Sequence, residues 1–264
     1  MILSRRVRLH NDQLDEIHEA IVIRSVDIGT PKEAIQAVDK MGGYGQRVTS
    51  KRYQTLDVAV TYAINLPKRE LVARRQVFDA VNAWAMKKGW LEISEMPNRK
   101  VLIDHVEVPT SRDLWDWTAE FTITFRAYAI PFWQDDAETI QTRYSASSGY
   151  VLLNMGGTVD TVCNINFENI SGATINNFRV WIEHDNETTS SISLTNFLPP
   201  LGGRATLSIS HDASGLVRVV GGGQNLYSYM GGSDDLILKP GVNKVNFNSA
   251  RAGHFSAYGW GRYV

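Results

Sequence analysis

Between residues 117 and 134 the chain reads WTAEFTITFRAYAIPFWQ, and its alternation admits one kind of local structure. Ala119, Phe121, Ile123, Phe125 and Ala127 fall on one side, with Thr118, Glu120, Thr122, Thr124 and Arg126 on the other. That period of two is what a half-buried strand requires and a helix forbids. At about 3.3 Å per residue, residues 117–129 predict a strand of roughly 43 Å, which only a large sheet can hold. Pro131 stops the run, and the composition changes beyond it.

Five of the 21 Gly precede Asp135 and sixteen follow it, and Asn divides four and twelve, so the second half is expected to be rich in turns. With 264 residues and about 150 per domain, two domains are expected, 1–134 and 135–264, each large enough for a core. The net charge of -1 argues against a chain held to nucleic acid by a basic face. The N-terminal MILSRRVRLHNDQ carries charges with no apolar run after them, and no long apolar stretch follows anywhere. A soluble chain made in a cytoplasm, without membrane insertion, is therefore expected. The single cysteine excludes an internal disulfide; Cys163 alternates with Ile165 and Phe167, which predicts an inert thiol on a buried strand face.

In the first half, short strands are predicted around Val7 and over residues 20–28, followed by a polar loop, TPKEAIQAVDK. Gly42, Gly43 and Gly45 lead into a second long strand, in which Val58, Val60, Tyr62 and Ile64 share one face. Its early part, 47–54, is polar on both faces and is expected to project beyond the sheet. A helix is predicted over 68–88, with Pro67 at its start, Lys87 and Lys88 at its negative end and Gly89 as its cap. Leu71, Phe78, Val81 and Ala85 form its apolar stripe, with Trp84 beside them. Strands in LEIS and over 101–108 complete an α+β domain with a mostly antiparallel sheet. Residues 135–149, ending SASSG, read as a linker or an arm across a neighbour. The remainder reads as strands alone, among them NFRVWIEH, VNKVNFN and HFSAYGWGRYV, the pattern of an antiparallel β-sandwich.

Catalytic constellations are absent from the sequence. The six His form no HExxH or H-x-H pair, there is no G-x-S-x-G elbow, and His184 and His211 are each followed by Asp as in an ordinary turn. Gly221, Gly222 and Gly223 have no helix after them to supply a phosphate site and read as a loose loop. Neither an enzymatic activity nor a metal or cofactor is expected. Trp181, Tyr227, Tyr229, Tyr258, Trp260 and Tyr263 include rings that could stack on sugars, with Trp181, Tyr258 and Trp260 as candidate glycan or partner contacts.

Three segments taken in order carry a resemblance: ELVARRQVFDAVNAWAMKKGW, the strand ending FRAYAIPFW, and LLNMGGTVDTVCNINFEN followed by LILKPGVNKVNF. Over nearly its whole length the chain resembles the distal tail protein family of long-tailed bacteriophages, the hub of the tail tip or baseplate. The resemblance implies a mainly β protein: an α+β N-terminal domain with one helix and a β-hairpin belt, then a galectin-like antiparallel β-sandwich. It also implies a virion protein whose N-terminal domains form a homo-hexameric ring continuing the tail tube, with DNA only in transit through the channel. The C-terminal domains would face tail-tip or receptor-binding proteins. The matching hairpin would span 42–59, with Tyr44, Arg47, Arg52 and Tyr53 as candidate oligomer contacts, since Tyr and Arg favour interface centres. The alternative is a carbohydrate-binding module that recognises host surface saccharides through its sandwich.

Overall fold

The computed structural model describes residues 5–39, 46–67, 70–110, 120–197, 201–211 and 216–264. The chain is mainly β with an α-helix at Leu71–Ala85, and it divides into two compact units, Met1–Trp133 with Val264, and Gln134–Tyr263.

In the first unit the strands Ile21–Ile28, Leu56–Ile64, Glu120–Ala127 and His105–Glu107 form an antiparallel sheet in that order. Glu120–Ala127 is the alternating segment, eight residues long here; residues 117–119 lie outside those described. Its odd-numbered face is buried, because the helix packs there: Phe78 meets Phe121 at 5.1 Å and Trp84 meets Phe125 at 6.0 Å, both edge to face. Fully burying side chains of this size stabilises by about 1.5–3 kcal/mol each. The helix is shorter than the 68–88 expected, with residues 68–69 outside those described. At its far end Lys88 takes the left-handed conformation (φ 57°) and Gly89 also has positive φ (106°). A second group of strands, Asp12–Gln13, Val7–Leu9, Gly89–Ile93 and Arg99–Ile103, pairs antiparallel in that order.

The segment expected to be a polar loop is a strand. Glu33–Asp39 pairs antiparallel with Gln46–Tyr53 as a sheet of two strands. This arm continues the Ile21–Ile28/Leu56–Ile64 pair through a short joint, where Gly29 N donates to Asp57 O at 2.8 Å and Lys32 N to Thr55 O at 3.1 Å. Gly29 suits the joint, since a Cβ there would sit 2.8 Å from Asp57 O. The paired strands of this arm are therefore Glu33–Asp39 and Gln46–Tyr53, where the expectation was a hairpin over 42–59.

In the second unit Thr139–Met155 is a seventeen-residue strand, so residues 139–149 are not a linker. It pairs along its length with Gly241–Gly259, a nineteen-residue strand that unites the VNKVNFN and HFSAYG segments expected to be separate. That strand cannot be straight. Phe247 and Phe255 are eight positions apart, about 26 Å along an extended chain, yet their rings stack with centroids 4.1 Å apart and planes at 10°. The strand turns a corner in NSARAG, and Thr139–Met155 turns with it through register shifts between Arg143, Ala146 and Ser148. Gly253 permits the corner: a Cβ would lie 2.3 Å from Phe167 Cζ and 2.5 Å from Glu168 O.

The corner divides one curled sheet into two layers. The first contains Phe178–His184 and Glu187–Leu194 beside residues 241–249. The second contains Asn164–Asn169, Thr206–His211 and Val217–Gly221 beside residues 253–259. Between them Val151, Leu153, Ile165, Phe167, Phe178, Val180, Phe247 and Phe255 form the core of a β-sandwich. Cys163 is wholly buried there, and burial pushes its thiol pKa up, which leaves it inert. The triglycine is no loose loop: Gly222 and Gly223, with φ 56° and 82°, make the tight turn of a hairpin.

Candidate interaction surfaces

The arm exposes residues on both of its faces. Glu33, Ile35, Gln36 and Ala37 are all exposed, Ile35 by 53%. Two strands without a third or a covering helix are marginal in water; at the base of this pair the Tyr53 ring meets Phe132 edge to face at 4.9 Å. Tyr53 is thus a foot of the arm, 37% exposed. Arg47 and Arg52 are on the Gln46–Tyr53 strand, and Tyr44 lies outside the described residues.

Trp181 sits on the outer face of the first layer of the second unit, between buried Val180 and Ile182. Its indole N–H donates to Glu183 Oε1 at 2.9 Å, while Lys244 donates to Glu183 Oε2 at 2.9 Å. These two donors, the ammonium first, hold the Glu183 carboxyl below the usual carboxylate range. The Arg179 guanidinium lies over the Trp181 ring at 5.2 Å. Beside them a cleft of 340 Å³ opens between three strands, lined by Asn177, Arg179, Trp181, Ser193, Thr195 and Asn248, among others. Register explains the grouping: Arg179 pairs across the sheet with Ser193 on one side and Asn248 on the other. In the next row Asn246 lies between Trp181 and Tyr150.

Tyr258 and Trp260 are elsewhere. Tyr258 belongs to the second layer and points outward between buried Ala257 and Gly259, with the Trp260 ring 6.0 Å away edge to face. The structure therefore does not bring them together with Trp181, and the three rings form no common platform. The sequence did not single out Arg179, Ser193 or Asn248. Alternation in NFRVWIEH puts Arg179 beside Trp181, but Ser193 and Asn248 arrive from other strands, whose pairing alternation does not reveal.

Among the described residues no three His, Cys, Asp or Glu gather as a metal site, and no helix is long and apolar enough to cross a membrane. His184 Nε2 lies 3.4 Å from Asp185, and His211 Nε2 lies 3.3 Å from Asp235, a residue distant in sequence.

No protein-family model matches the chain. No curated protein matches it either. Solved structures do. The fold that matches combines a helix-backed sheet and a two-stranded arm in the first unit with a curled β-sandwich in the second. It is similar to the Dit protein of phage SPP1, described as a paradigm of the hub adsorption apparatus in phages infecting Gram-positive hosts, with a TM-score of 0.67. The match covers 98% of this chain and 99% of that one at 12% identity, so the likeness is one of fold. Baseplate structures of phage P2 in the activated conformation, with Ca and with Sr, match at TM-scores of 0.47 and 0.44 and 9% identity, covering 97% and 96% of this chain. Those values lie below the level at which a shared fold follows.

Proposed function

We propose that this chain is a structural, non-enzymatic hub component of a phage tail tip, which assembles through its first unit into a homo-hexameric ring joining the tail tube to the adsorption apparatus. The observation that carries the reading is the arm: an antiparallel pair in which Glu33, Ile35, Gln36 and Ala37 are exposed, in a fold that matches a phage hub protein over 98% of this chain. Such a pair gains little from its own unit and is stabilised by an outside surface. If that surface is the next copy, the contact is heterologous and closes into a ring when the rotation per subunit divides a full turn. In this reading Tyr44, Arg47, Arg52 and Tyr53 contact the neighbour, and the opening of the ring passes DNA. A net charge of -1 suits a conduit that must not grip phosphates through counterion release. The second unit then faces tail-tip or receptor-binding proteins, and the protein resides in the virion.

Replacing residues 33–53 with a short Gly-Ser linker tests the assembly. The expected product is a folded monomer, seen as a single-chain mass in native mass spectrometry with an unchanged β-sheet circular dichroism spectrum. Rings persisting in that variant would remove the arm as the clasp.

A further inference from the structure

We propose that the outer face of the second unit binds an acidic saccharide in the cleft beside Trp181, a function separate from ring assembly and not dependent on it. Arg179, Ser193 and Asn248 stand in one cross-strand row at its centre. Among the described residues no carboxylate pairs with Arg179: its guanidinium rests on the Trp181 ring at 5.2 Å and otherwise faces solvent. Lys244, on the adjoining strand, differs: it is engaged with Glu183 at 2.9 Å. The cleft therefore presents one uncompensated cation. Beside it are hydroxyl groups of Ser193 and Thr195 and the amide of Asn248, both donors and acceptors, which match the hydroxyls of a sugar.

The indole plane supplies the third element. A stacked ring recognises the apolar face of a pyranose, and the indole here is fixed by the bond from its N–H to Glu183 at 2.9 Å. Fixing the ring before binding lowers the ordering cost of association. The volume of 340 Å³ lies at the lower end of ligand sites and suits one or two sugar units. The guanidinium presents a planar donor fork, which selects a carboxylate or phosphate substituent on the sugar over a neutral hydroxyl. Tyr258 and Trp260 have no part in this site.

The test is an oligosaccharide array probed with the full-length chain, carrying neutral oligosaccharides beside their sialylated, uronic-acid and phosphorylated counterparts, with titration of the best probe. The wild type is expected to prefer acidic probes, and the carboxylated and phosphorylated arms decide between the two anions. Trp181→Ala is expected to weaken binding about tenfold, the loss of one stacking ring. Arg179→Ala is expected to erase the preference for acidic over neutral probes, with Arg179→Lys retaining part of it. Arg179 is exposed, so its variants remain informative if Trp181→Ala unfolds. No binding to any probe, equal binding of neutral and acidic probes, or Arg179→Ala binding as the wild type would each overturn the proposal. Native mass spectrometry of the same samples reports ring assembly independently, so failure of one reading is distinguishable from failure of the other.

Discussion

Phe247 and Phe255 hold the two layers of the sandwich together from a single strand, each wholly buried. Removing either ring leaves a cavity that rigid strands cannot collapse into, so Phe255→Ala is expected to cost about 3–5 kcal/mol, read as a lower denaturant midpoint at unchanged slope. Tyr62 gives the opposite expectation. It is wholly buried, and among the described residues its hydroxyl has no hydrogen-bond partner. Tyr62→Phe removes an unsatisfied group and keeps the ring, so stability should rise by about 1 kcal/mol in the same measurement. Glu183 links stability to pH. Its carboxyl titrates below the unfolded value, so its contribution is present at neutral pH and lost as pH falls through the lowered pKa. Thermal melts should therefore separate Glu183→Gln from the wild type at neutral pH and narrow the difference as the pH is taken down through the lowered pKa. Some of this was legible in sequence: the alternation of Cys163 with Ile165 and Phe167 placed the thiol in the core. Arg74 was not, because an apolar stripe does not count an arginine. Only 1% of it is exposed, and its guanidinium donates to the Ile64 and Leu66 carbonyls at 3.3 and 3.1 Å.

Strands that border a core were readable, and strands that do not were missed. Leu56–Ile64 and Glu120–Ala127 alternate because one face is buried. In Glu33–Asp39 none of the described side chains, residues 33–37, is buried, and in EAIQAVD apolar residues fall on both sides, so the segment read as a loop. The polar half of Thr139–Met155 read as a linker because its contact with the core is sparse: Val151, Leu153 and Met155 are buried there, while in residues 139–149 it is the small, partly buried Ala146 that packs against it. The single strand Gly241–Gly259 read as two because the corner in NSARAG breaks the alternation where the chain passes between layers. If the arm is covered by a neighbouring copy, its backbone amides are shielded in the assembly and open on dissociation. Hydrogen exchange at high and low protein concentration should then show protection of 33–39 and 46–53 only when assembled. Equal exchange in both would mean that nothing covers the arm.

At the scale of the whole chain, the mainly β class followed from runs of short strands divided by Gly and Asn, with one segment patterned as a helix. What residue patterns do not carry is the partner surface, because a hairpin shaped for a neighbour and a solvated hairpin obey the same local rules. Each unit has its own core, so residues 134–263 expressed alone are expected to melt cooperatively with β-sheet circular dichroism; a non-cooperative, already unfolded segment would show that the second unit depends on the first. The central claim is that the chain builds a ring. Negative-stain electron microscopy of the purified full-length protein tests it most directly: the account predicts class averages with sixfold symmetry and an open centre, and particles that remain single chains at every concentration would contradict it.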